Sequence, residues 1–439
     1  MDLSALASIR VAACDLNGQM RGKRLPAHAA DKLESAGVRL PLSVLNVDLF
    51  GADIEGSPLV FESGDADGVL RPTERGAVPM PWLETPSALV PMAMYTETGA
   101  PFAGDPRHAL ATVLERYSAN GWQVLAATEM EFTLVDASGD APGAPVHPVT
   151  GRVIGGESVL SLSLLDAFDG FFNALESGCA AMGIPVQSTI SESGVGQFEV
   201  TLTHQDAMKA ADDAWLFKRL LRGVARQHGL AGTFMAKPYA DDAGNGMHVH
   251  FSVLDREGRN IFDDGGPRGS DLLRAGVAGC LAAMPASTLI FAPHDNSYAR
   301  MVLGAHAPTA AVWGYENRTA AIRIPGGSTA ARRIEHRAAG GDTNPYLMLA
   351  AVLGAAFLGM DSAQIPPPPS TGNVYAQSDL PALAPDWTTA IAWFEADPTL
   401  SRLFDPVMIR NLVATKRQEQ ARFDALARNQ HWLALLETV

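Results

Sequence analysis

Cysteine is scarce in this chain, and so is positive charge. Only three cysteines occur in 439 residues, and the spacing of Cys14, Cys179 and Cys280 matches no metal-binding motif. A scattered, odd number of cysteines is typical of reduced thiols, so we expect a cytoplasmic protein. The formal net charge of −15 at pH 7 argues against nucleic acid as a partner.

Long apolar runs and targeting signals are also missing. The longest apolar run, residues 346–360, is too short to span a bilayer. It follows Asn344-Pro345, a pair typical of the N-cap and first turn of a buried helix. The N-terminus lacks the basic, apolar and small-residue pattern of a signal peptide. We therefore expect no membrane partner.

What is present predicts an α+β protein of at least two domains, because 439 residues are too many for one compact core. Residues 1–103 are rich in glycine, proline and short β-like runs, which predicts a small β-rich domain with one helix over residues 26–36. Its predicted strands are residues 9–15, 19–25, 45–50 and 58–61, and the hairpin signal Asn17-Gly18 joins the first two.

Residues 104–439 form the second predicted domain, in which strand pairs alternate with long helices. This alternation predicts an antiparallel sheet with helices on one face. The predicted helices cover residues 105–120, 162–182, 205–228, 271–289, 387–396 and 405–436. For the last two helices the sequence indicates no chemical role.

Two glutamates two residues apart lie within a predicted strand over residues 122–135. Side chains at i and i+2 share a face of a strand, so Glu129 and Glu131 project side by side while Met130 and Phe132 pack behind them. Adjacent carboxylates repel each other, and a divalent cation with oxygen ligands would compensate them. A solvated strand face is the alternative.

Similar polar faces recur downstream. Glu192 and Glu199 bracket a glycine-containing turn that could bring them together, although an exposed turn with two acids would look the same. His248, His250 and Ser252 share one face of a strand that follows Gly244-Asn245-Gly246, which we expect to be flexible. This arrangement suits a metal ligand and a phosphate-binding donor. Structural histidines are the alternative there.

Arginine is concentrated in residues 317–337. Arg318 and Arg323 flank an apolar strand, and Arg333, Glu335 and Arg337 alternate on one face of the next. Arginines at this density suit bidentate binding of phosphate or carboxylate, whereas a surface ion-pair ladder is the alternative. Together the polar faces suit a two-metal phosphoryl-transfer site. The chain has no Gly-x-x-x-x-Gly-Lys loop, so its nucleotide site is of another kind.

These motifs resemble those of the glutamine synthetase superfamily in order and spacing. The matching segments are Glu129-Met130-Glu131, Gly196-Gln197-Phe198-Glu199, Gly246-Met247-His248-Val249-His250, Glu316-Asn317-Arg318-Thr319-Ala320 and Arg332-Arg333-Ile334-Glu335-His336-Arg337. The resemblance implies an N-terminal β-grasp domain over residues 1–103 and a catalytic domain over residues 104–439, with a curved antiparallel sheet flanked by helices. It also implies a ring oligomer, expected as a dodecamer of two hexamers.

The resemblance further implies that glutamate and ATP form γ-glutamyl phosphate, which an amine attacks, with two Mg²⁺ or Mn²⁺ ions per active site. Carried over by matching motif, each polar residue acquires an implied role. The first ion would be held by Glu131, Glu192 and Glu199, and the second by Glu129, His248 and Glu335. ATP would contact His250, Ser252 and Arg333, and glutamate would contact Arg300, Arg318, Arg337 and Gly244. The implied catalytic residues are Arg323, which would act on the transferring phosphate, Arg318 and His306.

The flap that closes the active site departs from the ammonium-using members of the family. Those members carry Gly-x-Glu-Ala-Pro, whereas residues 304–308 here read Gly-Ala-His-Ala-Pro and place His306 where the glutamate would be. The family's Asp-Gly-Ser-Ser stretch is absent around residues 50–53, and Ala243 stands in place of an asparagine. An ammonium pocket without its acids loses charge-assisted hydrogen bonds worth roughly 1.5–3 kcal/mol each.

These departures predict a γ-glutamyl–amine ligase acting on a polyamine or alkylamine. The segments Asn296-Ser297-Tyr298 and Trp313-Gly314-Tyr315 resemble the branch that glutamylates larger amines. Two alternatives stay open: a glutamine synthetase with altered ammonium contacts, and a non-catalytic structural relative. Tyr375 matches a position that some bacterial glutamine synthetases modify with a nucleotide, although an ordinary loop tyrosine is the simpler interpretation.

Overall fold

The computed structural model describes residues 1–139, 141–156, 158–436 and 438–439. A six-stranded sheet in the order β2-β1-β6-β4-β3, with β5 beside β6, occupies the N-terminal part. Its strands are β1 Ser8–Cys14, β2 Met20–Pro26, β3 Val38–Pro41, β4 Asp67–Pro72, β5 Val78–Pro79 and β6 Ser87–Tyr95, accompanied by helices α1 Asp31–Ala36 and α2 Pro58–Phe61. This arrangement is consistent with the predicted β-grasp.

The predicted hairpin of β1 and β2 is confirmed, because the two strands pair antiparallel through a turn containing Gly18 at φ +80°. Two other predicted strands are wrong. Pro58–Phe61 is helical because Pro58 suits the first helical turn and the Ser57 hydroxyl accepts the Leu59 amide, as an N-cap does. Residues 45–50 end a 3₁₀ helix and enter a turn, in which the Asp48 carboxylate accepts amides that a strand would pair.

A nine-stranded sheet forms the second part of the fold, in the order β13-β14-β15-β12-β7-β9-β8, with β10 and β11 both beside β7. Its strands are β7 Gln123–Val135, β8 Val186–Ser191, β9 Gln197–Leu202, β10 Gln205–Asp206, β11 Ala231–Thr233, β12 Met247–Leu254, β13 Trp313–Tyr315, β14 Ile322–Ile324 and β15 Ile334–His336. The predicted antiparallel sheet is confirmed except for β13 and β14, which run parallel.

Helices pack behind the large sheet. They are α3 Pro106–Ala119, α4 Leu162–Ala167, α5 Asp169–Met182, α6 Ala207–Gln227, α7 Asp271–Ala283, α8 Thr288–Phe291, α9 Asp295–Arg300, α10 Pro345–Asp361, α11 Trp387–Ala396, α12 Leu400–Leu403, α13 Pro406–Ala425 and α14 Arg428–Leu436. Three helices predicted as continuous are each interrupted, at Phe168, after Ala283 and at Leu426. Leu426 is extended, at φ −84° and ψ 147°, and so separates α13 from α14.

Helix α10 is buried on all sides from Pro345 to Met360, with Asn344 as its N-cap. It crosses α7 closely because both helices present glycine at the crossing. A Cβ at Gly279 would lie 2.1 Å from the Ala355 carbonyl oxygen, and one at Gly359 would lie 2.1 Å from that of Ala275. Within the described ranges, no helix is long and apolar enough to cross a membrane.

The back of the large sheet forms the main core. Met130 and Phe132 of β7 are fully buried, as predicted, and Phe132 packs against Phe198 at a centroid distance of 6.0 Å. The opposite face of the same strand carries Glu129 and Glu131, which are both partly exposed. The predicted domain boundary between residues 103 and 104 stays a prediction.

Candidate active site on the large sheet

The polar side chains predicted on strands lie on one face of five adjacent strands, β14, β15, β12, β7 and β9. Of the other predicted residues, Glu192 follows the end of β8, Arg300 ends α9, and Arg318 lies between β13 and β14. Strand register brings them together: Glu129 lies opposite His248, and Glu131 lies opposite Glu199. Glu335 of β15 lies between His250 of β12 and Arg323 of β14. Residues far apart in sequence therefore share one surface because each alternates with a buried apolar neighbour.

One end of this surface carries three carboxylates, which we name the triple-acid cluster: Glu131, Glu192 and Glu199. One carboxylate oxygen of each lies within 4.8 Å of the others. Burial, reinforced by the neighbouring carboxylates, raises the pKa of Glu199 to about 8 and that of Glu192 to about 7. The donor set fits a hard divalent cation, which takes carboxylate oxygens and favours their ionised form.

The other end carries Glu129, His248, His250 and Glu335, which we name the paired cluster. The Glu129 carboxylate accepts a hydrogen bond of 2.8 Å from Nδ1 of His248 and another of 2.8 Å from Nε2 of His250. Burial opposes ionisation of Glu129, but these two bonds outweigh it and hold the pKa of the carboxyl far below its usual range.

Arg333 fixes the tautomer of His250. Its Nε–H points at Nδ1 of His250 at 3.1 Å, and a guanidinium can only donate, so Nδ1 must accept and Nε2 must carry the proton given to Glu129. Both nitrogens of His250 are thus engaged by protein groups. In His248, Nδ1 is engaged and Nε2 is the nitrogen that could act as a ligand.

Two arginines neutralise Glu335, whose exposed fraction is 1%. Nη1 of Arg323 donates to Oε2 at 2.7 Å, and Nη1 of Arg337 donates to Oε1. Burial opposes ionisation of Glu335, but the charges of Arg337 and the nearby histidines outweigh it and lower the pKa of the carboxyl. Arg333, Glu335 and Arg337 lie on one face, as predicted. The ion pairs of Glu335 are buried, so they do not form the surface ion-pair ladder that was the alternative.

The second metal set implied by the family resemblance, Glu129, His248 and Glu335, is divided between two groups that share Glu129. Ligand atoms of Glu129, Glu199 and His248 lie within 4.8 Å of one another, and so do those of Glu129, His250 and Glu335. Glu129 therefore links the triple-acid cluster to the rest of the paired cluster.

The loop Gly244-Asn245-Gly246 is tightly packed rather than flexible. A Cβ at Gly244 would lie 2.3 Å from the Ala236 carbonyl oxygen, and one at Gly246 would lie 2.7 Å from Nη2 of Arg300. The Gly246 amide donates to Oε2 of Glu131 at 2.5 Å. Glycine thus lets buried Arg300, which donates to the Ala338 carbonyl at 3.2 Å, approach the site beneath this loop.

Two supporting amides were not predicted from the sequence. Gln197 donates to the Gly244 carbonyl at 3.0 Å and to Oδ1 of Asn245 at 3.1 Å. Asn245 in turn donates to the Met235 carbonyl at 2.9 Å. The sequence signal for this supporting role was the position of the two amides inside the Gly-Gln-Phe-Glu and Gly-Asn-Gly motifs, where polar residues are buried beside the acids.

The C-terminal helix α13 also carries unpredicted polar contacts. Glu419 is fully buried and accepts hydrogen bonds from the Asn17 side chain at 2.6 Å and from the Leu49 amide at 2.8 Å. Lys416 donates to Glu419 at 2.9 Å and to Asn17 at 2.5 Å. The helix therefore ties the N-terminal part of the chain to the rest, and its contribution is structural.

A cleft of about 520 Å³ opens beside Glu129. It is lined by the three residues that the family resemblance assigns to ATP, His250, Ser252 and Arg333. Its volume is within the range of small-molecule sites, roughly 300–1,000 Å³. Glu129 thus lies between this cleft and the triple-acid cluster.

The flap lies on the other side of the site. His306 is exposed, has a φ of +55°, and places its ring edge-on to Tyr375 at a centroid distance of 6.4 Å. Arg318 is exposed, and its charge acts on the Glu192 carboxyl. The hydroxyl of Tyr375 is buried and has no hydrogen-bond partner among the described residues, which argues against its modification in this conformation.

Comparison with known proteins agrees with this geometry. Residues 103–434 match the family described as glutamine synthetase, catalytic domain. The chain is 38% identical over 378 residues to the gamma-glutamylputrescine synthetase of Escherichia coli, covering 84% of this chain and 78% of that protein. It is 32% identical over 368 residues to the gamma-glutamylethanolamide synthetase of Streptomyces coelicolor, covering 82% and 78%. A solved structure of GmaS with ADP superposes with a TM-score of 0.84 at 27% identity, covering 99% of this chain and 97% of that one.

Proposed function

The chain belongs to the glutamine synthetase family and is an ATP-dependent glutamate–amine ligase, and from this premise we propose that its amine substrate is an alkylamine or a polyamine. The observation that carries the proposal is the flap, where the exposed His306 stands at the position that the family resemblance assigns to the ammonium-binding acid. The activities for which the two relatives are named, gamma-glutamylputrescine and gamma-glutamylethanolamide synthesis, support the same conclusion.

We propose the metal assignment that the family's motifs imply. Glu131, Glu192 and Glu199, which lie together, would hold one Mg²⁺ or Mn²⁺ ion. Glu129, His248 and Glu335 would hold a second, with Glu129 as the member common to the groups that contain His248 and Glu335. When bound, such ions would neutralise the negative charge that develops during phosphoryl transfer. The ionic bonds from Arg323 and Arg337 keep Glu335 ionised and hold it in place for this role.

The remaining residues bind the substrates around these acids. His250, Ser252 and Arg333 line the cleft and would contact ATP. Arg300, Arg318, Arg337 and the backbone of Gly244 would bind glutamate, and Arg323 would bind the transferring phosphate. Arginine is suited to these roles because its planar fork pairs with carboxylate and phosphate oxygens.

The reaction divides into two displacements. A γ-carboxylate oxygen of glutamate attacks the γ-phosphorus of ATP, the bond to the bridging oxygen breaks, and γ-glutamyl phosphate and ADP result. The neutral amine then attacks the acyl carbon, and phosphate leaves as the amide forms. The attacking nitrogen loses a proton, which His306 would accept, because the imidazole of histidine exchanges protons near neutral pH.

An active site completed by a neighbouring subunit is part of this proposal. We expect a ring oligomer of two stacked hexamers, in which the N-terminal part of one subunit closes the site of the next. Light scattering tests this, and a fully active monomer would contradict it.

The test of the function is phosphate release with ATP, glutamate, Mg²⁺ and a panel of amines. We expect kcat/KM for the best alkylamine or diamine to exceed that for ammonium at least about tenfold, roughly 1.4 kcal/mol of transition-state preference. Preference for ammonium over every amine would show a glutamine synthetase instead. Absence of phosphate release with every amine would favour a non-catalytic relative, which the complete set of acids argues against.

A further inference from the structure

A second cavity lies behind the flap. It has a volume of about 190 Å³ and is separate from the cleft beside Glu129. The flap side contributes Leu303, Pro308 and Ala310, and the segment 374–382 contributes Val374, Leu380 and Ala382. At about 30 Å³ per water-sized group, the cavity has room for about six non-hydrogen atoms.

Tyr375 connects this cavity to the reaction centre. It lines the cavity, and its ring meets His306 of the flap edge-on. Its buried hydroxyl has no hydrogen-bond partner among the described residues and lies within electrostatic reach of Arg300 and Arg337. Tyr375 therefore places the cavity beside the flap histidine and within electrostatic reach of the arginines proposed to bind glutamate.

The described lining offers no ionic partner to a positively charged occupant. The described residues of the wall are apolar, apart from Thr309, Thr319, Tyr375 and Gln377, and none is acidic. Arg300 and Arg337 add positive potential from the side of the reaction centre. A second ammonium group placed here would lose its hydration without gaining an ionic partner, whereas a hydrocarbon or hydroxyl group would not.

We propose that this cavity binds the tail of the amine substrate and selects amines whose tail is uncharged and short, such as alkylamines and amino alcohols, over diamines and polyamines. The inference rests on the proposed function and narrows it. It separates the amine preference of this chain from that named for the gamma-glutamylputrescine synthetase and predicts a substrate with an uncharged tail, as ethanolamine has.

A matched pair of substrates tests the proposal on the wild-type protein. Putrescine and 4-aminobutan-1-ol have the same chain length and differ in whether the far end is an ammonium or a hydroxyl. We expect kcat/KM for 4-aminobutan-1-ol and butylamine to exceed that for putrescine at least about tenfold. If putrescine equals or exceeds them while amine-dependent turnover is present, the tail-pocket inference is wrong and the ligase function stands. If no amine supports phosphate release, the ligase function fails and the inference fails with it.

Gln377 offers an isosteric variant of the wall. Its amide lines the cavity and donates to the Thr371 carbonyl at 3.1 Å. Gln377→Glu places a carboxylate at the same position, and we expect the putrescine to 4-aminobutan-1-ol ratio of kcat/KM to rise threefold to tenfold. Gln377→Met, which loses the same hydrogen bond without gaining charge, should leave the ratio unchanged. Equal ratios in the two variants would overturn the proposal.

Filling the cavity gives a separate readout. Ala382 lies at its exposed wall, so Ala382→Phe can add bulk without disturbing buried packing. We expect KM for butylamine to rise at least about fivefold while kcat/KM for methylamine, which has no tail to place there, stays within twofold. A parallel loss for both amines, or no change for butylamine, would contradict a tail pocket behind the flap.

Discussion

The triple-acid cluster and the paired cluster share one face of one sheet, yet their charges are balanced in opposite ways. Glu129 and Glu335 of the paired cluster are held ionised by histidine and arginine side chains. Glu192 and Glu199 have no such cationic side chain bonded to them among the described residues, and their pKa values rise to about 7 and about 8. Identical residue types therefore differ in protonation because of their neighbours alone.

This difference in charge compensation indicates that the triple-acid cluster, rather than the paired cluster, depends on a metal ion to neutralise its carboxylates. Removing one partner from a buried ion pair leaves an uncompensated charge, so the paired cluster should be damaged by mutation of a single member. In the triple-acid cluster the carboxylates repel one another. Binding of a cation, or removal of one carboxylate charge by mutation, should reduce this repulsion. The predictions below test this contrast, from the largest expected effect to the smallest.

Both clusters should be required for chemistry. We expect Glu131→Gln and Glu335→Gln each to lower kcat for phosphate release at least about 1,000-fold, or about 4 kcal/mol, because each removes a ligand from a different implied ion. The measurement is phosphate release at saturating Mg²⁺ or Mn²⁺. Glu62→Gln, an exposed glutamate outside the site, is the matched control. Unchanged turnover in either site variant would place the metal site elsewhere.

The paired cluster should respond to mutation by losing stability. Glu335→Gln leaves the guanidinium group of Arg337 without its carboxylate in a buried setting, and leaves Arg323 with only the more exposed Glu316 at 3.5 Å. We expect the free energy of unfolding in EDTA to fall by about 3 kcal/mol. Urea denaturation at pH 8 measures it, and a change below about 1 kcal/mol would mean that solvent, not Glu335, compensates the arginines.

The triple-acid cluster should respond in the opposite direction. Because the pKa of Glu199 is raised in the folded state, its ionisation costs stability as pH rises above the unfolded value of about 4.5. We expect Glu199→Gln to raise the free energy of unfolding in EDTA at pH 8 by about 2 kcal/mol. At pH 5 the gain should disappear, since the carboxyl is protonated in the folded wild type. Destabilisation at pH 8 would contradict the contrast.

The flap offers a third electrostatic setting, in which the exposed His306 can be replaced by an acid. Glu at this position would favour a small cation, so we expect His306→Glu to shift the ratio of kcat/KM toward ammonium by about tenfold, or about 1.4 kcal/mol. His306→Gln separates charge from size and should shift it less. If both variants shift the ratio of kcat/KM equally, the charge at this position does not select the amine, and His306 only lines the flap.

The polar face was predictable because strand alternation has a period of two. That period placed Glu129 and Glu131 on one face of a strand, and it did the same for Arg333, Glu335 and Arg337. The buried apolar residues on the opposite face then set the register between neighbouring strands. The sequence did not indicate which charges would pair. Strand neighbours are chosen by the whole sheet, so the bond from Arg333 to His250, 83 residues apart, has no local signal.

The strands predicted from local propensity over residues 45–50 and 58–61 were wrong because a side chain there accepts a backbone amide hydrogen. Ser57 and Asp48 turn apolar, β-like segments into a helix and a turn by accepting amide hydrogens. The glycines at positions 244 and 246 were predicted to give flexibility, but they give space to Arg300. Packing of this kind depends on a side chain from another part of the chain and cannot be seen in a single segment.

The most direct test of the contrast is the number of protons released when the apoprotein binds Mn²⁺. Calorimetric titrations at pH 7 in two buffers of different ionisation enthalpy measure it. With pKa values of about 7 and about 8 for Glu192 and Glu199, we predict release of about one proton or slightly more per site. The release should approach zero at pH 9 and fall in Glu199→Gln. Binding at pH 7 without proton release would contradict the account, because the triple-acid cluster would then be ionised before the cation arrives.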